Sequence, residues 1–279
     1  MVPPRQRPPL VLAGWTGLVL LFLILPVVIV VPMSVSSSQY LQFPPPGLSL
    51  QWYRGYFTSE AWLSATITSL KVGVLTVLIA TPLGTLASFG LVRGRIPGKR
   101  VLNGVILAPM IIPTIVVAVA TYFAFSRVQL IGHTIGLAFA HTALGVPLVV
   151  INVSAALISF DEVLEQASLN LGANRLQTFW YVTFPLVRSS IFAGALFAFL
   201  TSFDELLVAM FIAGVSAQTL PIRMWAGLQQ NVEPTIAAIS TILIAISCMV
   251  LLGGEALRSW SGRRWGAADY GARHEEEGA

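Results

Sequence analysis

Two adjacent carboxylates, Asp204 and Glu205, stand in an apolar run at about residues 188–213 that carries no other charge beyond Arg188 at its start. Ionisable groups at membrane depth are disfavoured and usually face a bundle interior or a water-filled cavity, where they mark a path for ions or solutes. Carboxylates placed there would attract a cation. Successive helical positions point about 100° apart, so one acid of the pair would face the path. Thr201, Asp204 and Val208 share one face, which singles out Asp204. Trp225 could add a cation–π contact, although an indole at a membrane edge is also an interfacial anchor. The plain alternative is a structural pair neutralised by Lys71 or Arg223.

Enzymatic chemistry finds no support. The sequence has no Gly-rich loop ending in Gly-Lys-Ser/Thr, no His-Glu-x-x-His helix and no Gly-x-Ser-x-Gly elbow. Its histidines are His133, His141 and His274; the first two are eight residues apart, a poor metal spacing, and read as ordinary polar residues. No catalytic residue, metal or bound cofactor is expected on this chain. Cys248 is the single cysteine, which excludes an intramolecular disulfide.

The elements that must hold these residues are apolar. Of 279 residues, 56% are hydrophobic and 10% charged, with mean hydropathy +0.80. A soluble domain carries about 25% charged residues, so lipid is the natural solvent. The net charge of +4 and pI near 9.6 do not point to nucleic acid, because the cations lie in short clusters between apolar runs.

An all-α transmembrane chain with six membrane-spanning helices is expected. Residues 1–9 form a basic N-terminus, and 10–33 a first transmembrane helix. That run exceeds the roughly 7–15 apolar residues of a cleaved signal peptide. Residues 34–63 form a loop with an interfacial helix bearing Trp52, Tyr53, Tyr56 and Phe57; the alternative is an aromatic cage for a solute. Residues 64–257 form a five-helix core, with helices at about 64–92, 101–126, 134–158, 188–213 and 235–257, and a polar loop at 159–187. Residues 258–279 are a polar tail. Lys71 should snorkel or pair with an acid, and Asn152 should bond between helices.

Six spans put both termini on one side. That side would carry Arg5, Arg7, Arg93, Arg95, Lys99, Arg100, Arg175, Arg188, Arg258, Arg263, Arg264 and Arg273, against Arg54, Arg127 and Arg223 opposite. The positive-inside rule makes the richer side, with both termini, cytoplasmic, and 34–63 periplasmic.

The loop after the fourth span begins as an amphipathic helix. Val163, Leu164, Ala167 and Leu171 recur at helical spacing, and Asp161, Glu162 and Glu165 crowd its first turns. Gly172 should stop it, and a second helical piece should run to Pro185. A rod held on the cytoplasmic face between two spans is well placed to be pushed by a soluble partner.

This segment resembles the EAA loop of binding-protein-dependent ABC importer permeases: Glu-Ala-Ala, three residues, Gly, nine residues, Ile, one residue, Leu-Pro. Here Gln166, Ala167 and Ser168 precede Gly172, and Val182, Phe184 and Pro185 complete the spacing. Gln166, Ser168, Val182 and Phe184 depart from the pattern, with Glu165 beside the glutamine. The stretches Thr201–Gly214, Thr219–Trp225 and Phe43–Tyr53 are similar to spermidine and putrescine permeases.

The resemblance implies a type I ABC importer permease-like bundle in a bacterial inner membrane. It also implies partners: a second homologous permease, two copies of a cytoplasmic ATPase that carries the ATP and Mg, and a periplasmic substrate-binding protein. Glu165, Gln166, Ala167, Ser168, Gly172 and Pro185 would be the coupling loop. Asp204, Glu205, Thr201 and Trp225 would line the path of a polyamine. The rivals are a permease for another solute (an amino-acid derivative, anion or metal-chelate), a lone ion-coupled transporter, which would need mid-span coupling carboxylates, and a membrane-embedded enzyme.

Overall fold

A computed structural model describes residues 10–230 and 233–249; the N-terminal segment, the end of the sixth expected span and the polar tail lie outside the described residues. The helices are α1 (Leu10–Ser34), α2 (Gln51–Thr58), α3 (Glu60–Val92), α4 (Lys99–Ile111), α5 (Thr114–Arg127) and α6 (Thr134–Ser159). They continue as α7 (Val163–Asn170), α8 (Arg175–Thr178), a π-helical turn (Phe179–Thr183), α9 (Phe184–Asp204), α10 (Leu207–Ile212), α11 (Leu220–Gln230) and α12 (Thr235–Met249). Among the described residues the one β pairing is an isolated bridge between Ser36 and Leu48.

Four of these stretches are long and apolar enough to cross a membrane: α1 from Val11, α3, α6 and the run Arg175–Asp204. The pair α4 and α5 makes a fifth if counted as one bent span, and α12 is a shorter apolar helix.

The chain divides into two compact units, residues 1–59 with 227–279, and residues 60–226. In the first, α1 leaves large apolar side chains such as Phe22 exposed, as a lipid-facing helix does. The loop after it closes through Ser37 N–H to Gly47 O and Ser49 N–H to Val35 O. Trp52 Nε1 donates to Ser36 O at 2.8 Å, and the Tyr53 hydroxyl bonds Ser34 Oγ at 2.7 Å. Their polar tips bond to Ser36 in the loop and to Ser34 at the end of α1, which ties α2 to the chain before it.

In the second unit α3, α6 and α9 pack together. Without a hydrophobic drive between helices in lipid, close approach through small residues supplies the contact. A Cβ on Gly84 would lie 2.6 Å from Val149 Cβ, and one on Gly194 would lie 2.9 Å from Val149 Cα. Val149 is thus gripped from α3 and α9, beside buried Ala80, Val153, Leu157, Val187 and Ala198. A second cluster joins Val72, Ala118, Leu137, Leu144, Val208 and Ile212.

Three sequence expectations change. The helix at 101–126 is two helices bent by 106°. Pro113 supplies no amide and holds Ile112 extended, with ψ 134°, which ends α4. The helix at 188–213 breaks at Glu205, whose φ −70° and ψ 117° are extended, before α10 resumes. The second loop piece does not stop at Pro185: helix runs from Arg175 through the π turn into α9. Pro185 lacks the amide that an α-turn would require, and Phe184 N–H reaches back five residues to Phe179 O.

Candidate functional site: the loop between α6 and α9

After α6 the chain turns at Phe160 and starts α7, with Asp161 Oδ1 accepting from Val163 N–H at 3.0 Å. The rod ends as Gly172 N–H donates to Leu169 O and Ala173 N–H donates to Ser168 O. That pair of bonds is the Schellman closure, which requires the left-handed backbone that Gly172 adopts at φ +91°. The next helix opens with a reciprocal capping box between Asn174 and Gln177. Each boundary is therefore written locally.

The orientation of α7 is a tertiary matter. Two of its polar side chains, Glu165 and Ser168, face the protein. Glu165 Oε1 accepts from Thr183 Oγ1 at 2.7 Å, and Ser168 Oγ bonds Thr178 Oγ1 at 3.1 Å. Glu165 Oε2 lies 3.3 Å from Arg93 Nε, and Arg93 also pairs with Glu162 and donates to Phe160 O at 3.2 Å. The apolar stripe points away: Val163, Leu164, Ala167 and Leu171 are exposed, Leu171 at 90%. Gln166, at the position of the family's glutamate, is exposed, and its neighbour Glu165 is turned inward. Arg93 is the site residue that sequence reasoning missed. It looked like one more topology cation, and only its place at the end of α3 distinguishes it from Arg95.

The residues expected to line a path are not gathered into one site. Thr201 and Asp204 belong to α9, where Asp204 is exposed and has no ion pair among the described residues. Glu205 is absorbed structurally: its Oε1 accepts from Val208 N–H at 2.9 Å and satisfies an amide of the new helix start. Val208 is buried beyond the break, so the shared face of Thr201, Asp204 and Val208 does not exist. Trp225 lies on α11, partly exposed, without a hydrogen bond or ring contact to these acids among the described residues.

Neither proposed neutralising cation is used. Arg223 sits over the Trp62 ring at 5.5 Å, and Lys71 is exposed without an ion pair among the described residues. Asn152 bonds Leu148 O in its own helix, not a neighbour. His141 joins a polar chain that sequence did not anticipate: Nδ1 lies 2.9 Å from Ser202 Oγ, which bonds Thr76 Oγ1 at 3.1 Å. No group of three metal-binding side chains occurs among the described residues.

A bundle of apolar helices, interrupted by an inward-anchored, outward-apolar rod, is the fold of an ABC importer permease. It matches a chain from the crystal structure of a bacterial ABC transporter involved in the import of the acidic polysaccharide alginate, with TM-score 0.65, 16% identity, and coverage of 89% of this chain and 94% of that one. The chain belongs to the family of binding-protein-dependent transport system inner membrane components, whose model matches residues 80–254.

Its similarity extends to named relatives. The spermidine/putrescine transport system permease protein PotC of Haemophilus influenzae is 29% identical over 234 residues, covering 83% of this chain and 90% of that protein. The putrescine transport system permease protein PotI of Escherichia coli is 30% identical over 250 residues, covering 85% and 88%. A probable sulfate transport system permease protein of Chlorokybus atmophyticus is 29% identical over 212 residues, covering 71% and 74%.

Proposed function

We propose that this chain is the permease subunit of a polyamine importer, pairing with a second permease to form the path. Two copies of a cytoplasmic ATPase, with their own ATP and Mg, drive it, and a periplasmic binding protein delivers the solute. The proposed arrangement has six spans with both termini cytoplasmic, the sixth starting with the shorter apolar helix Thr235–Met249.

The observation that carries the coupling role is the inverted polarity of α7. A free amphipathic helix on a protein buries its apolar stripe. This one buries Glu165 and Ser168 contacts and leaves Leu164, Ala167 and Leu171 outside. Such a stripe fits a groove on a soluble partner. When the ATPase closes on ATP, α7 is displaced, and the helices attached to it rock between inward- and outward-facing arrangements.

The solute class rests on the likeness to PotC and PotI, supported by the exposed Asp204, which has no ion pair among the described residues. A path for another small solute is the second reading, favoured by the likeness to a sulfate permease. A carboxylate at the end of α9 does not suit an anion.

The test is reconstitution of the chain with its ATPase, second permease and binding protein in liposomes. Spermidine or putrescine uptake that depends on ATP, with a cysteine at Gln166 cross-linking to the ATPase, is expected. Uptake without ATP would indicate an ion-coupled carrier, and ATP-driven uptake of sulfate in place of polyamine would support the second reading.

A further inference from the structure

The guanidinium of Arg93, at the end of α3, gathers three groups of the loop. It pairs with the Glu162 carboxylate, lies 3.3 Å from Glu165 Oε2 and donates to Phe160 O at 3.2 Å. It also rests over the Phe160 ring at 5.0 Å. The side chains of Arg93 and Glu165 are 17% and 19% exposed, while Glu162 is 56% exposed. The Glu162 contact is the shorter, hydrogen-bonded one; Arg93 Nε makes no hydrogen bond and meets Glu165 as an ion pair between partly withdrawn charges, which interact more strongly than fully solvated ones.

The other oxygen of Glu165 holds buried Thr183 in the π turn at the foot of α9. One carboxylate therefore bridges the end of α3 and the start of α9 through α7. The covalent connections of α7 are an extended Phe160 on one side and the positive-φ Gly172 on the other, and the side-chain ties add a second link between the rod and the spans. Ion pairs and packed side chains between rigid elements are what carry a displacement onward.

We propose that Arg93 is a positioning residue of energy coupling, transmitting the movement of α7 into α3 so that α3, α7 and the foot of α9 move as one body. This rests on the reading that α7 receives the ATPase. Arg95 is the internal control. It stands two residues away, is exposed, and has no ion pair among the described residues.

The experiment uses the whole complex in liposomes, in a Cys248→Ser background, and reads solute taken up per ATP hydrolysed. Cross-linking from a cysteine at Gln166 to the ATPase is followed in parallel. R93Q should keep the cross-link and ATP hydrolysis while the transport ratio falls roughly tenfold, within the range by which coupled contacts modulate coupling. R93K should fall between R93Q and the unaltered chain, and R95Q should leave the ratio unchanged. Joining the pair R93C/E165C with a short bifunctional thiol reagent should restore the ratio.

A wild-type ratio in R93Q, or an equal fall in R95Q, overturns the proposal. If R93Q does not assemble, the joined cysteine pair decides: a ratio as low as that of the unjoined pair overturns it. Loss of the Gln166 cross-link in the otherwise unaltered chain removes the coupling reading itself, independently of any ratio.

Discussion

Glu165 and Thr183 are eighteen residues apart, yet the carboxylate of one accepts the hydroxyl hydrogen of the other at 2.7 Å. Thr183 is buried at 1% exposure and Glu165 is partly buried, so the bond anchors α7 against the bundle. Replacing Thr183 with Val keeps the shape and removes the donor. An unsatisfied, partly buried acceptor costs about 1–3 kcal/mol. T183V should therefore lower the unfolding temperature of the detergent-solubilised chain and speed proteolysis at 160–178. An unchanged cleavage rate would show that the bond does not hold the rod.

Gly172 is needed for its backbone, not for space, since nothing lies within 4 Å of a Cβ placed there. An L-residue in the left-handed region costs about 1–2 kcal/mol, and Asn tolerates it better. G172N should thus retain more ATP-driven uptake than G172A or G172V at equal protein level. Equal uptake in all three would place the requirement elsewhere.

Asp204 and Glu205 should separate by the kind of defect they cause. D204N removes an exposed charge with no ion pair among the described residues, and is expected to raise the KM for polyamine uptake with little change in stability. E205A removes the acceptor for Val208 N–H, and is expected to cost about 1 kcal/mol in the manner of a lost helix cap. Uptake kinetics and thermal unfolding measured on both variants check the split. Normal KM in D204N would eliminate the attraction of a cation by this residue.

The grip on Val149 predicts that α3 tolerates no side chain at Gly84. A Cβ there would meet Val149 Cβ at 2.6 Å, and overpacking of that kind costs about 1–3 kcal/mol. G84A should reduce the yield and unfolding temperature of the chain, and G84A/V149A should recover part of both. No recovery in the double variant would mean that the crossing is not set by this contact.

Ser202 stands between His141 and Thr76, so S202A leaves both without their shared partner. Hydrogen bonds between membrane helices average about 0.6 kcal/mol, so a small drop in unfolding temperature is expected. A double-mutant cycle of S202A with T76V should show coupling, and strict additivity would exclude the bond.

Much of this was legible in residue order. The end of the rod follows from local chemistry, Gly172 for a left-handed turn, whereas the Asn174–Gln177 cap shows only in the structure and Pro185, expected to end the second piece, does not end it. The apolar runs follow from the solvent, because an apolar stretch of sufficient length is legible without knowing its neighbours. The bend at Pro113 was signalled by the proline, but a proline within a span can kink a helix or end it, and only the backbone at Ile112 shows which.

Sequence by itself determined that this chain is apolar, helical and interrupted by one amphipathic rod, because length, periodicity and turn chemistry are local properties. Tertiary structure alone decided which way the rod faces. Glu165 turns inward because Arg93 and Thr183, distant in the chain, offer a cation and a donor on the same side. It also decided that Glu205 serves a helix break and that Ser202 meets His141. Those outcomes depend on which groups converge in a site with little water, where each polar atom takes whatever partner the packing supplies.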